Sequence, residues 1–450
     1  MKKITLILCS LSFIPALAQE HFSGISTSKR VGILNGNNNP SEFANLGSRF
    51  EVQLFGASVN ASSNKVGFSD LLNGSDVEEL MFAGDKPVNF TTNAELALPG
   101  FAFKALGWGF AVTSGAHITA NVIEVNSDLG RALVGNEDVN ASTAASIIND
   151  SGNQRINATT WGEIGFSAAR KIYGNDKHQF NAGITLKLLF PGSYANFGAS
   201  NFSGTIDNSL GTPYLSGASA NLNVAYSGSL GESFTDASDY TSSVFGNLKG
   251  MATDIGFDYQ LKSGSSYKLK VGLAIKNMGS MTFKSDDNQS TNYALTIPNA
   301  APGNPGLDLN EFNDAESLSD VEAILLSHPG YLTEESQSTD FKVKLPTVLN
   351  LYADYNIISK LNVTLFLQQK VNKDQENDQV ASQNIFSITP RVNLSFFEAF
   401  VPVSFNEISG TTAGFGLRLA GFYLGSNSVL TAIGDGKQAD AYFGYRFGFL

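Results

Sequence analysis

Cysteine is nearly absent from this sequence, since Cys9 is the only one among 450 residues. Charged residues are scarce too, at 16% of the chain where roughly a quarter is typical. Beyond the N-terminus, no apolar run approaches the roughly 20 residues that a membrane-spanning helix needs. These absences argue against a disulfide-stapled fold, a salt-bridged helical surface and a helical membrane protein.

Glycine and phenylalanine are abundant instead, with 44 and 33 residues. This composition favours many strands joined by tight bends, so a mostly-β chain is the first expectation. A length of 450 residues exceeds that of most compact domains, although a single β-barrel can use all of it. Mean hydropathy is −0.04, yet barrel strands escape a hydropathy scan because half of each strand is polar.

The N-terminus has the pattern of a secretory signal peptide. A positive start (Met1–Lys3) precedes a short apolar run from Ile4, and Ala16–Ala18 form a small-residue cleavage pattern. We predict a signal peptide at residues 1–18, cleaved near Ala18. A permanent membrane anchor is the alternative, which the shortness of the run disfavours. Cys9 lies inside this segment, so the mature chain would contain no cysteine.

The chain is acidic. Its formal net charge is −12, and loss of the two lysines of the signal peptide would make it −14. A nucleic-acid partner would need clustered Lys and Arg on one face of the protein. We therefore expect no nucleic-acid partner.

The C-terminal segment shows the pattern that dominates the chain. Side chains of a strand point alternately to its two faces. One face of this segment is aromatic, and the other carries small or polar residues and an arginine. The first set is Ala441, Phe443, Tyr445, Phe447 and Phe449, and the second is Asp440, Tyr442, Gly444, Arg446 and Gly448.

The same alternation occurs on both sides of a predicted turn. Residues 252–261 and 267–275 alternate, with Lys262–Ser266 between them, so we predict a β-hairpin. In the register that this turn gives, Asp258 lies opposite Lys270 and forms a cross-strand ion pair. Roughly 14 segments of about ten residues share the pattern, which is the length that a tilted strand needs to cross a membrane.

Long connectors rich in Asn, Ser, Gly and Asp separate these segments. The longest are predicted at Pro191–Asn221, Ser227–Lys249 and Lys284–Asp340. Two stretches outside the strands have a helical pattern, Ser69–Phe82 and Asp314–Leu326. Short turns that alternate with long polar loops are typical of outer-membrane barrels.

The patterns predict an all-β fold: a transmembrane antiparallel β-barrel of about 14 strands, within a range of roughly 12 to 16. The C-terminal strand would close the barrel against the first strand and leave no open edge. The alternative is a secreted, soluble β-sandwich that acts as an adhesin or binds carbohydrate. Aromatic rows at strand ends favour the barrel, because they are typical of bilayer interfaces.

Several motifs resemble those of a known family. Asn38–Leu46 resembles the Asn-Pro-Ala segment of long-chain fatty acid transporter (FadL) barrels, with Ser41 in place of the usual Ala. Val271–Gly279 and Lys344–Pro346 resemble strand and turn signatures of the same group. From Phe396 onward the chain is similar to an uncharacterised family of Bacteroidota outer-membrane barrels, related to FadL and to the type IX secretion shuttle barrel.

The resemblance implies a domain organisation and a function. A plug-like segment at residues 19–46, with the plug motif Asn39-Pro40, would lie in the lumen of a barrel formed by residues 47–450. The barrel-assembly machinery would insert it into the bacterial outer membrane, where it contacts lipid. It would take up a hydrophobic or small solute, and a structural or secretion-associated role in the outer membrane is the alternative.

Two groups of residues are candidates for function. Pro99 and Gly100 interrupt an apolar strand, and FadL-like barrels use a kinked strand as a lateral exit, so we expect a lateral opening there. An ordinary bulge or a turn between two strands is the alternative. Charges expected to face the lumen could select solutes, hold the plug or pair with one another. These charges are Asp254, Asp258, Lys268, Lys270, Lys276, Arg391, Arg418 and Arg446.

Signals of enzymatic activity are weak. The four histidines are scattered, and the sequence has no zinc-protease, nucleophile-elbow or phosphate-loop motif. We therefore expect a protein that is not an enzyme and that uses no cofactor or metal. The histidines are His21, His117, His178 and His328.

Overall fold

A computed structural model describes residues 21–28, 30, 32–134, 145–209, 211–233, 240, 244–264, 266–284, 289–394, 396–434 and 436–449. Within these ranges the chain forms one antiparallel sheet that closes into a ring of 14 strand positions. Several positions are built from two or three consecutive strand segments. The predicted signal peptide lies outside the described residues.

The first seven positions contain the tallest strands. They are β1 (Phe50–Ser63); β2 (Val88–Ala97) with β3 (Gly100–Ala105); β4 (Trp108–Val125); β5 (Ala145–Gly174); β6 (His178–Asp207); β7 (Tyr214–Ser227) with β8 (Gly250–Ser263); and β9 (Ser266–Lys284) with β10 (Gln289–Ile297). A short strand outside the ring, β11 (Leu307–Asp308), pairs with β7.

The other seven positions are numbered eight to fourteen. The eighth consists of three consecutive strands, and the remaining six are shorter. In order, the seven are β12 (Leu332–Ser338), β13 (Asp340–Lys344) and β14 (Val348–Ile358); β15 (Leu361–Lys370); β16 (Ile385–Asn393); β17 (Phe397–Phe400) with β18 (Val403–Asn406); β19 (Gly410–Ala413) with β20 (Phe415–Leu419); β21 (Phe422–Ser426); and β22 (Gln438–Phe449).

The helices are short and form no part of the wall. The α-helices are α1 (Gly32–Asn38), α2 (Phe68–Leu72), α3 (Val77–Phe82), α4 (Ser127–Val134), α5 (Ser229–Glu232), α6 (Leu318–Leu326) and α7 (Val429–Ala432). Two 3-10 helices span Pro40–Asn45 and Leu309–Asp314. No helix in the described part of the chain is long and apolar enough to cross a membrane.

The ring closes where the sequence predicts it. β22 pairs antiparallel with β1. On β22, Phe443 of the predicted aromatic face is 55% exposed, whereas Tyr442 and Asp440 of the other face are 1% and 5% exposed. The apolar face therefore points outward and the polar face points into the ring. A single closed sheet with an apolar exterior is not a sandwich of two sheets, so the soluble-sandwich alternative is wrong.

The wall is taller on one side than the sequence suggests. β5 and β6 have 30 residues each, and β6 runs to Asp207 before β7 begins at Tyr214. The predicted connector Pro191–Asn221 is therefore wrong. Its Asn and Ser residues looked like loop residues, but many of them alternate with small apolar residues along strands.

The hairpin of β8 and β9 forms as predicted, but its register differs. Lys270 lies opposite Gln260, because the turn is tighter than predicted, with Ser263 paired to Ser266, and because Lys268 is an extra, bulged residue on β9. The predicted ion pair between Asp258 and Lys270 is therefore wrong. The bulge also reverses the predicted faces of Tyr267 and Lys268, so Tyr267 is buried and its hydroxyl donates to Asp354 at 2.6 Å.

Candidate functional site: two cavities on opposite faces of one wall

The described part of the predicted plug, which comprises residues 21–28, 30 and 32–46, lies inside the ring, and we call it the luminal segment. Asn39 caps the helix Pro40–Asn45, because its Oδ1 accepts a hydrogen bond of 3.1 Å from the Ser41 amide. Its Nδ2 donates to the carbonyl of Phe257 in β8 at 3.0 Å. One side chain thus folds the segment and ties it to the wall.

Glycines on the inner face of the wall make room for the luminal segment. A Cβ atom at Gly183 would clash with the backbone of Pro40, and one at Gly256 would clash with the Asn39 side chain. Strand glycines often mark such a close approach of another backbone. The plug motif Asn39-Pro40 therefore rests directly on β6 and β8.

A buried carboxylate of the luminal segment pairs with the wall. Glu42 Oε1 lies 2.7 Å from Lys270 Nζ, and Glu42 also accepts a hydrogen bond from the Tyr352 hydroxyl. Asp258 accepts a hydrogen bond of 3.1 Å from Asn45. Asp258 and Lys270, two of the charges expected in the lumen, thus contact the luminal segment instead of each other.

Two arginines on the opposite wall share one carboxylate. Glu398 lies 2.9 Å from Arg391 Nε and 3.3 Å from Arg418 Nε, and all three side chains are buried. Arg391 also donates to the carbonyl of Gly24 in the luminal segment. Buried charges need such partners, because an unpaired one costs several kcal/mol.

Arg446 and Lys268, also expected in the lumen, differ in their placement. Arg446 points inward and pairs with Glu51 at 2.9 Å. Lys268 lies at the bulge, where its Nζ donates to the Asn356 carbonyl at 2.7 Å and lies 4.6 Å from the ring centroid of Tyr355. Tyr355 belongs to the exposed outer side chains, so the bulge directs Lys268 away from the lumen.

Residues 371–384, between β15 and β16, cross the lumen at the other end of the barrel. Arg155, on the inner face of β5, donates to the carbonyls of Asp374 at 2.7 Å and Gln379 at 3.0 Å. Burial raises the pKa of Asp378 in this loop, and the nearby Arg155 opposes the rise only in part. The loop and the luminal segment close the lumen from its two ends.

A cavity of ≈ 200 Å³ lies between them, and we call it the luminal chamber. Lys187 Nζ lies 3.3 Å from both Glu163 and Asp254, so one ammonium group serves two carboxylates. Lys276 also lines the chamber, and it makes no hydrogen bond or ion pair with the described residues. The chamber thus collects Asp254 and Lys276 from the charges that were expected to face the lumen.

Two histidines line the same chamber. His117 stacks on Trp161 with ring centroids 4.6 Å apart, and its Nε2 lies 3.5 Å from Glu163. His21 of the luminal segment lies 3.9 Å from Glu95. In the described ranges, no three His, Cys, Asp or Glu side chains are grouped so that they could hold a metal ion.

A second cavity, of ≈ 220 Å³, is apolar, and we call it the outer pocket. Its floor is formed by β4 to β7 and β10, and its cover by α4, α6 and the helix Leu309–Asp314. Among the described lining residues, only Asn121, Asn157 and Tyr240 have polar side chains. Water gains little in such a cavity, because a buried water needs two to four polar partners.

The outer pocket lies on the outside of the wall. On β5, Trp161 and Glu163 line the luminal chamber, so the odd-numbered residues of this regularly paired strand face inward. Ile156 and Ala158 line the outer pocket and therefore face outward. The two cavities are thus separated by the thickness of one sheet, and the outer pocket continues the apolar outer face upward.

Pro99 and Gly100 lie where one strand position is interrupted. β2 and β3 both pair with β1 and with β4, so the interruption is not a turn between two neighbouring strands. Leu98 N donates to Ser114 O at 3.0 Å, and Ser114 Oγ donates to Pro99 O at 2.8 Å. These bonds bridge the interruption in the manner of a bulge, and a lateral opening there stays a prediction.

Sequence reasoning missed the outer pocket. Its floor includes residues of the stretch Ala218–Val224, which lies partly inside a segment interpreted as a polar connector. Ala218, Ala220, Leu222 and Val224 alternate there with Ser and Asn. This period-two pattern was the available signal, but the small size of alanine made it weak.

Three solved structures resemble this chain over most of its length, at low identity. The TodX deltaS2S3 mutant monoaromatic hydrocarbon channel has a TM-score of 0.45 and 11% identity, covering 92% of this chain and 94% of that one. The Ralstonia pickettii toluene transporter TbuX has a TM-score of 0.39 and 13% identity, covering 94% of this chain and 95% of that one. A Pseudomonas aeruginosa FadL homologue has a TM-score of 0.37 and 9% identity, covering 92% of this chain and 93% of that one. Scores this low carry no argument about either fold or function.

Comparison of sequences gives the family but no activity. No curated protein matches this sequence. A family model described as "Family of unknown function (DUF5723)" matches residues 44–427, which is most of the chain and nearly all of the wall. The predicted origin in Bacteroidota stays a prediction. The chain belongs to the DUF5723 family of proteins of unknown function.

Proposed function

We propose that this protein is a bacterial outer-membrane β-barrel that takes up a small apolar molecule and binds it first in the outer pocket. The closed ring and its apolar exterior support the membrane location, as does the predicted signal peptide. The observation that carries the uptake proposal is the outer pocket, an apolar cavity whose floor is built on the wall. A cavity of this kind binds by burying apolar surface.

The volume of the outer pocket suggests the size of the ligand. A dry protein cavity of about 150 Å³ is large enough to bind benzene. The outer pocket, at ≈ 220 Å³, has room for a single aromatic ring with a few further carbon atoms. We therefore expect a toluene-sized molecule to fit better than a long-chain fatty acid.

A structural or secretion-associated role is the second candidate. The luminal segment and the loop 371–384 both occupy the lumen, and buried ion pairs and hydrogen bonds hold them to the wall. A barrel whose lumen is filled suits a stationary envelope component as well as a channel that opens only when it is loaded. Measured uptake separates the two candidates.

The uptake experiment uses labelled toluene and proteoliposomes that contain the purified barrel. Ala120→Leu fills the outer pocket from its floor and should lower binding and uptake about tenfold, since a fixed volume tolerates added carbons poorly. The matched control is Ala353→Leu, an outward position on β14 that does not line the outer pocket. It should leave both quantities unchanged. Equal binding by wild type and Ala120→Leu would contradict the proposal.

The membrane location is tested separately. We expect the protein to fractionate with outer membranes and to shift in migration on gels when it is boiled, as stable barrels do. Recovery in the soluble fraction would contradict the membrane location, whatever the ligand experiments show.

A further inference from the structure

The sixth strand position, which consists of β7 and β8, is interrupted in the middle of the wall. The neighbouring fifth position is the single long strand β6. The C-terminal part of β6, Tyr194–Asp207, pairs with β7, and we call this the upper part of the wall. The N-terminal part, His178–Leu189, pairs with β8. Between β7 and β8, the described residues 228–233 and 244–249 belong to no strand of the wall, and residues 190–193 of β6 pair with no described strand on that side. We call this place the strand-6 break.

The backbone at the strand-6 break is held by few bonds. Gly192 is an extra residue in the pairing of β5 with β6, and Pro191 has no N–H to donate. The Ser193 amide donates to the side-chain hydroxyl of Thr160 in β5 at 2.8 Å, and not to a backbone carbonyl of a neighbouring strand. Below the break, Lys249 N donates to Leu189 O at 3.1 Å. This stretch of wall therefore lacks the regular ladder of its neighbours.

The outer pocket ends directly above the break. Its floor includes Ala158 and Ala195, which are paired across β5 and β6 just above Ser193. Leu230, in α5, belongs to the same apolar cluster as this floor and is fully buried. Phe245 covers the break from outside, with its ring centroid 6.0 Å from that of Phe190.

The inner side of the break is also apolar, unlike most of the lumen. Tyr194, Phe283 and Phe341 form a cluster with ring centroids 5.4 to 5.5 Å apart. The same buried cluster contains Trp161 and Val380, which line the luminal chamber. Apolar side chains therefore continue from the outer pocket, past the break, to the chamber.

We propose that the apolar molecule crosses the wall at the strand-6 break, from the outer pocket into the luminal chamber. The proposal rests on the proposed uptake function and adds the route. α5 must move away from β6 for the molecule to pass, and the aromatic cluster then offers apolar contact on the inner side. The interruption at Pro99 is a poorer route, because two hydrogen bonds bridge it and it does not border the outer pocket.

A reversible crosslink across the break tests the route. Ser193 Oγ and Ser229 Oγ lie 2.9 Å apart, so the double variant Ser193→Cys/Ser229→Cys should form a disulfide that fixes α5 to β6. The mature chain is predicted to have no cysteine of its own, so no other disulfide competes. Oxidation should lower toluene uptake about tenfold, and a reductant should restore it.

A second crosslink to β6, which joins it to β7 instead of α5, is the matched control. Ser203 and Ser219 hydroxyls lie 3.0 Å apart between β6 and β7, above the break. Oxidised Ser203→Cys/Ser219→Cys should keep normal uptake. If uptake survives oxidation at residues 193 and 229, or falls equally in the control, the route is wrong. Toluene binding to the outer pocket is measured in every sample. If the wild type binds no toluene, the uptake proposal itself is wrong, and not only the route.

Discussion

The two sides of the barrel wall differ in height and in what stabilises them. From the third to the eighth position the strands are tall, and their upper outer face is covered by helices around an apolar cavity. From the ninth position onward the strands are short, and buried ion pairs within the wall, together with hydrogen bonds to the luminal segment, fill the inner face. We call these the tall side and the short side.

The difference shows how one alternating pattern can serve two purposes. On both sides apolar residues point outward and polar residues inward. On the short side the outward residues stay exposed, as Leu365 and Phe443 do. On the tall side the upper outward residues, such as Leu222 and Leu295, are buried beneath α6 and the helix Leu309–Asp314. Added helices thus convert part of an exposed apolar wall into a cavity.

The largest effect is expected on the short side. Glu398→Gln would leave the buried guanidinium groups of Arg391 and Arg418 without their shared charge. Breaking a buried ion pair costs about 3–5 kcal/mol, so we expect a large loss in thermal stability of the purified barrel. Glu376→Gln is the control, because its pair with Lys344 is exposed and should be worth under about 1 kcal/mol. Similar losses in both variants would contradict the stabilising role of the Glu398 pairs.

A smaller effect is expected where the loop 371–384 contacts the tall side. Arg155→Met keeps most of the side-chain length but removes the donors to Asp374 and Gln379. Hydrogen bonds from a charged group contribute about 1.5–3 kcal/mol each, so the loop should leave the lumen more often. Single-channel recordings in planar bilayers should show larger or more frequent conductance. Arg170→Met, over the outward Trp108 ring, should not change conductance.

The luminal segment gives the next test. Gly183→Ala adds a Cβ that meets the Pro40 backbone, which a side-chain rotation cannot relieve. Overpacking of this kind costs about 1–3 kcal/mol, and it should loosen the luminal segment at the tall side. Limited proteolysis should then cut within residues 21–46 faster than in the wild type. Gly47→Ala is the control, because a Cβ at Gly47 meets no atom within 4 Å.

The smallest effect is expected from Asp378→Asn. Burial raises the pKa of Asp378, so this residue adds stability below its unfolded pKa and loses it as pH rises through the folded pKa. The amide carries no charge to bury, and Asn tolerates the positive φ of 56° at this position. We expect a rise in Tm of about 1–2 °C at neutral pH and none near about pH 3. A rise that is equal at both pH values would show that burial of the Asp378 charge is not the cause.

Much of the wall could be predicted from the sequence, because alternation of face depends only on strand geometry. The closing strand, the hairpin of β8 and β9 and the outward position of Phe443 all follow from period two. The register of that hairpin does not follow, because a turn tighter than predicted and one bulged residue, Lys268, each shift the pairing by one residue. Nothing in the residue types around Lys268 marks the bulge.

The cavities could be predicted only in part. Asn39 and Pro40 were identified through a family resemblance, but their contacts with β6 and β8 depend on glycines whose role is visible only when the two backbones meet. The partners of Glu42 and Glu398 are hundreds of residues away or on other strands, and charge alone does not select them. The outer pocket depends on where helices fold back over the wall, which strand patterns do not encode.

Nitroxide labels on single cysteines test the central claim, that the apolar outer face of the wall contacts hydrocarbon. Labels at Phe443, Ile275 and Leu365, which are 55%, 39% and 44% exposed, are compared with one at the inward, buried Thr364 in barrels reconstituted in lipid. We expect high accessibility to oxygen and low accessibility to a water-soluble relaxation agent at the three outer sites only. Outer labels that meet the water-soluble agent freely would contradict the account.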